Sequence, residues 1–84
     1  MNSKADIAVV DDDLSVRKAL TRLMRAAGYQ ATAFESAEEF LASSESERSA
    51  CLILDVHLPG MTGLELHANM VQSRSKVPVQ VRFL

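Results

Sequence analysis

Residues 51–66 read "CLILDVHLPGMTGLEL", and the reading of this stretch decides the fold. Cys51 to Leu54 are apolar at consecutive positions, the pattern of a strand covered on both faces, as strands of parallel sheets are. One carboxylate, Asp55, stands near the end of that run, directly before a turn containing Pro59 and Gly60. Thr62 with Glu65 three residues later is a capping-box pattern, which opens a helix over about 63–73 carrying Leu64, Leu66, Met70 and Val71. Strand, turn and helix in this order form the unit from which α/β sheets are built.

The flanking sequence repeats the unit. "ADIAVV" predicts a first strand at about 5–10, and "DDDLSVRKALTRLMRAAGY" predicts a helix at about 14–27. Val16, Ala19, Leu20, Leu23, Met24 and Ala27 form its apolar stripe, acids precede it and Gly28 is placed to end it. A second strand is expected at 30–34, and Ser36 with Glu39 opens a short helix at about 37–42. "SSESERS", residues 43–49, reads as an exposed loop. The third strand spans about 50–56. A fourth is expected at about 77–83, with Val77, Val79, Val81 and Phe83 alternating with Pro78, Gln80, Arg82 and Leu84. The order β-α-β-α-β-α-β implies an α/β sandwich on a parallel sheet with right-handed crossovers.

With 84 residues, 48% of them hydrophobic and 24% charged, the chain suits one small globular domain spanning 1–84. The net charge is −2 and the Lys and Arg residues are scattered, so no basic surface for nucleic acid is expected. A single cysteine can form no internal disulfide, and the apolar run "IAVV" is too short for a signal peptide or a membrane span. A cytoplasmic setting fits these features.

In open parallel sheets, ligands bind beyond the carboxyl ends of the strands. Asp11 and Asp12 follow the first strand and Asp55 ends the third, so neighbouring strands would bring three carboxylates into one crevice. Such a cluster is self-repelling unless a cation compensates it. An all-oxygen donor set suits Mg2+, and no EF-hand spacing points to calcium. Helix capping accounts for Asp13 or Ser15, which directly precede or open a helix, but not for Asp55.

"VVDDD" after the first strand, "LDVHLPGMTG" after the third, and the spacing of about 43 residues between Asp12 and Asp55 resemble the receiver domain of bacterial two-component response regulators. "VRKAL", "FESAEEFL" and "LPGMTGLEL" are similar to receivers of the FixJ/LuxR type. The resemblance implies a flavodoxin-like, CheY-like fold. It implies that Asp55 is the phosphoacceptor, that Asp11 and Asp12 hold Mg2+ together with Asp55, and that the backbone carbonyl of His57 is a further ligand. The implied partner is a sensor histidine kinase, and the implied role is signal transfer in a phosphorelay, not enzymatic turnover.

Against that family the chain reads as incomplete, lacking the fifth strand and last two helices and, with them, the Ser/Thr and Lys that contact the phosphoryl group. The alternating polarity of the fourth strand is that of an exposed edge, a template for pairing. A homodimer through this strand is therefore expected. The alternative function is a receiver that does not switch and serves only for dimerisation or interaction. No second nucleophile or general base accompanies the acids, which disfavours a phosphatase or other metal-dependent hydrolase.

Overall fold

The computed structural model describes residues 5–82. Four parallel strands, β1 (Asp6–Val10), β2 (Gln30–Phe34), β3 (Cys51–Asp55) and β4 (Val79–Arg82), form one sheet in the order β2-β1-β3-β4. The helices are α1 (Leu14–Ala26), α2 (Ala37–Leu41), α3 (Glu45–Arg48) and α4 (Gly63–Gln72). The chain thus has the expected parallel α/β architecture. Phe83 and Leu84, the last positions of the expected fourth strand and of its alternation, lie outside the described residues.

Register explains what meets at the carboxyl edge. Val10 pairs with Phe34 on one side and Leu54 on the other, and Asp55 pairs with Arg82. The residue after β1 and the last residue of β3 therefore leave the sheet at the same level. Ala8, Val9 and Val10 are fully buried, as the central strand of such a sheet requires.

The core lies on one face of the sheet. Ala8, Val10, Leu52 and Leu54 pack there against Phe34, Phe40 of α2, and Leu66 and Met70 of α4. Phe34 and Phe40 meet edge to face with ring centroids 5.5 Å apart, a geometry worth about 0.5–1.5 kcal/mol beyond burial alone. Of the apolar residues that α4 carries, Leu66 and Met70 are buried, whereas Leu64 and Val71 stand 59% and 64% exposed.

Among the described residues the opposite face carries only α1, which lies over β1 and β2. None of its residues is buried: Val16, Leu20 and Met24 of the expected stripe are half-buried, whereas Ala19, Leu23 and Ala27 are exposed. The stripe is real, but a single helix covers half a face. Beyond it, Cys51 and Ile53 of β3 are half-buried and Gln80 of β4 is exposed.

Local sequence sets the helix boundaries. Asp13 caps α1 by accepting hydrogen bonds from the Ser15 and Val16 amides, and Gly28, at φ +96°, takes the chain out of it. Thr62 and Glu65 complete a reciprocal capping box at α4. The stretch expected as an exposed loop holds a single helical turn, α3, in which Glu45 is buried, as is Ser49 directly after it. Glu45 accepts from Arg48 Nε and Ser49 Oγ, so polar groups satisfy one another inside a sequence without apolar periodicity.

Candidate functional site

At the carboxyl edge, the junction between β1 and α1 supplies Asp11 and Asp12, and the end of β3 supplies Asp55. One carboxylate oxygen from each lies within 4.8 Å of the others. Asp11 and Asp55 are 1% and 6% exposed, while Asp12 opens to solvent. The three acids singled out in the sequence are therefore brought together, two as buried walls and one at the rim.

The backbone holds both buried acids. The Asp11 amide donates to the Phe34 carbonyl at 3.1 Å, which ties the turn after β1 to β2. Asp11 Oδ1 accepts from the Asp13 amide at 2.9 Å, and Asp55 Oδ1 accepts from the His57 amide at 3.0 Å. Each bond fixes one oxygen and leaves Oδ2 directed elsewhere. Arg17 donates to the Asp11 carbonyl at 2.8 Å and reaches Glu35 at 3.8 Å, steadying the same turn from α1.

His57 is exposed, and its amide braces Asp55. His67 is exposed on α4, and Cys51 is a half-buried free thiol on β3, away from the acids.

Two residues of the site were not legible as such in the sequence. Arg82, noted there only for the polarity of its strand, donates from Nη2 to Asp11 Oδ2 and lies 3.7 Å from Asp55 Oδ2. The hydrogen bond it donates to Asp11 raises its pKa above the usual guanidinium value against the opposing effect of burial, with the charges of Asp11, Asp55 and Asp13 adding to the rise. Gly63, the first residue of α4, is the second. A Cβ there would fall 2.8 Å from Val56 Cα and closer still to the Asp55 carbonyl oxygen, so only glycine lets α4 approach the end of β3. The dipeptide "TG" at a helix start was its sequence signal.

Pairwise repulsion among carboxylates 4.8 Å apart is about 3 kcal/mol at an effective dielectric near 20. A single guanidinium contributes one positive charge against three negative ones. The donors are all hard oxygens, two of them in fixed positions and one accessible to solvent, a set that fits a hexacoordinate Mg2+ completed by water.

The model of the response regulator receiver domain matches residues 7–82. This chain belongs to the receiver family. Nodulation protein W of Bradyrhizobium diazoefficiens is 40% identical over 78 residues, covering 93% of this chain and 34% of that protein. The transcriptional regulatory protein FixJ of the same organism is 35% identical over 81 residues, with 96% and 40% coverage. The receiver superposes on the response regulator StyR with a TM-score of 0.87 at 38% identity, covering 94% of this chain and 40% of StyR. Full-length FixJ from B. japonicum gives 0.85 at 34% identity, with 95% and 39% coverage. The chain thus spans about a third to two-fifths of the length of these curated relatives. Receivers are the signalling modules of two-component systems, and the CheY-like fold expected from the sequence is the fold of these neighbours. No helix among the described residues is long and apolar enough to cross a membrane.

Proposed function

We propose that this receiver accepts a phosphoryl group on Asp55 from the phosphohistidine of a sensor histidine kinase, in the cytoplasm and with Mg2+. The observation that carries the reading is the convergence of Asp11, Asp12 and Asp55 on one crevice in a chain of this family. Asp55 would act as a carboxylate nucleophile. One of its oxygens forms a bond to phosphorus as the phosphorus–nitrogen bond of the donor breaks, and the imidazole leaves with the electron pair. The product is an acyl phosphate on Asp55.

The residues around it divide the work. The His57 amide holds Asp55 Oδ1, which limits rotation of the carboxylate and leaves Oδ2 without a backbone donor. Asp11, Asp12, Asp55 and the His57 carbonyl would hold the Mg2+ ion. When bound, that ion supplies positive charge that offsets the phosphoryl oxygens during transfer. The protein undergoes a single modification and is not a turnover catalyst. DNA contact in a full-length regulator would belong to regions other than this receiver.

Incubation with Mg2+ and acetyl phosphate, followed by intact-mass measurement, tests the reading. The mass of one phosphoryl group should be added to the native protein and not to Asp55→Asn. An unmodified native protein that is folded, or an undiminished adduct in Asp55→Asn, overturns it.

A second reading has its own support: the receiver folds and self-associates without switching. Arg82 already places a positive charge among the acids, and among the described residues β4 is an edge strand with half-buried Val79 and Val81. In this reading a second copy covers β4 and the adjoining depression of about 390 Å³ lined by Ile7, Met24, Tyr29, Cys51, Ile53 and Gln80. Dimerisation without any phosphoryl adduct is its signature.

A further inference from the structure

We infer that Arg82 is a built-in competitor for the divalent cation: its guanidinium holds an Asp11 oxygen that a metal ion would use and stands beside that of Asp55, and it must withdraw for the ion to bind. The inference rests on the proposed metal site and adds a control on its occupancy.

The placement of Arg82 follows from the sheet. Its Cα is in register with that of Asp55, so the side chain leaves β4 beside the end of β3. From there Nη2 reaches Asp11 Oδ2 across a sequence separation of 71 residues, and stands 3.7 Å from Asp55 Oδ2. These are the two oxygens that the Asp13 and His57 amides leave free. The guanidinium therefore takes the unclaimed oxygen of Asp11 and stands within ion-pair distance of that of Asp55.

The contact differs from an ordinary surface ion pair. Asp11 is 1% exposed, and a carboxylate buried to that degree needs a partner for its charge. Arg82 supplies it, although its own Nε is buried without a hydrogen-bond partner among the described residues. That unpaired donor means that the guanidinium is incompletely matched to its surroundings. A bound state that lets Arg82 return Nε to water recovers hydration now lost. With 27% of the side chain exposed, the withdrawal path leads directly to solvent.

Guanidinium and metal ion are mutually exclusive here for reasons of both space and charge. The metal must take an oxygen that Arg82 now holds, and a divalent charge beside a retained guanidinium would be repelled. The population with Arg82 withdrawn then limits the apparent metal affinity, since only that fraction is competent to bind.

Calorimetric titration of Mg2+ and Mn2+ into the native protein, Arg82→Gln, Arg82→Ile and Arg17→Gln tests this directly. Arg17 is a nearby cation whose contact is with the Asp11 carbonyl and not with a carboxylate oxygen of the site, so its variant measures the effect of one lost positive charge together with a loosened turn, without freeing a ligand oxygen. Both Arg82 variants should bind the metals at least about fivefold more tightly than the native protein, the lower end of ordinary coupling between ligands. Arg17→Gln should change affinity less. Urea unfolding without metal confirms that each variant is folded, and if Arg82→Ile is not, Arg82→Gln decides. Equal affinities in native and Arg82 variants, or an equal gain in Arg17→Gln, overturn the competition while leaving the metal centre intact. Absence of binding in all four proteins overturns the metal centre and the competition together.

Discussion

Gly63 packs so closely on Asp55 that the hydrogen in place of a side chain is a structural requirement. A Cβ at this position would collide with the Asp55 carbonyl oxygen and come within 2.8 Å of Val56 Cα, both of them backbone atoms with no rotamer to yield. The first turn of α4 is thereby set against the end of β3, where the acids meet. Gly63→Ala should destabilise the protein by about 1–3 kcal/mol, the usual range for overpacking. It should also weaken metal binding by moving Asp55. Urea denaturation and metal titration of the variant measure the two effects, and native values in both would remove the close approach from the account.

Glu65 carries a pH dependence with a defined sign. Hydrogen bonds from the Thr62 amide and then the Thr62 side chain lower its pKa below the usual carboxylate value. The ionised form is thus favoured in the folded state. Its contribution is complete above the unfolded-state pKa, about 4.3, and fades as pH falls through the lower folded-state value. The stability difference between the native protein and Glu65→Gln should shrink on acidification through that window. Thr62→Ala, which removes the cap itself, should cost about 1 kcal/mol at neutral pH.

Phe40 anchors the covered face of the sheet. It is fully buried and packs edge to face on Phe34. Phe40→Ala should cost about 3–5 kcal/mol, a large share of the margin of a domain this small. Loss of cooperative thermal unfolding in the variant is the expected outcome, and a sharp transition near the native temperature would contradict it.

The second face is the surface that the proposed association would use. Among the described residues, Leu23 and Tyr29 stand 58% and 41% exposed on the side where α1 alone covers the sheet, and β4 is an edge strand. Sedimentation velocity across a concentration series should show a monomer–dimer equilibrium, weakened when Val81 is replaced by Lys to charge the edge strand. A single monomeric species at the highest concentrations would exclude a dimer through β4.

Much of this was legible in the sequence because the decisive signals are local. Consecutive apolar residues in β1 and β3 marked strands of a parallel sheet, although the expected cover on both faces is incomplete, with Cys51 and Ile53 of β3 half-buried where α1 does not reach, and the caps at Asp13 and Thr62 marked helix starts within a residue. Asp11, Asp12 and Asp55 were recognisable because acids at two strand ends have no joint structural explanation. The remainder depended on non-local relations. Arg82 became part of the site only through the register of β4 on β3, which alternating polarity does not specify. The α3 turn was hidden because its buried groups, Glu45 and Ser49, are polar and satisfied by each other. Leu23 was expected on an apolar stripe, but periodicity does not say how wide a surface lies opposite.

The central claim is that Asp11, Asp12 and Asp55 form one divalent-cation centre. Paramagnetic broadening of amide NMR signals by substoichiometric Mn2+ tests it most directly, because the effect falls steeply with distance from the ion. Amides of residues 11–13 and 55–57 should disappear together, ahead of those near the acids of α3, and Asp55→Asn should abolish the selective loss. Broadening confined to one strand end, or spread equally over acids elsewhere on the surface, would contradict the account.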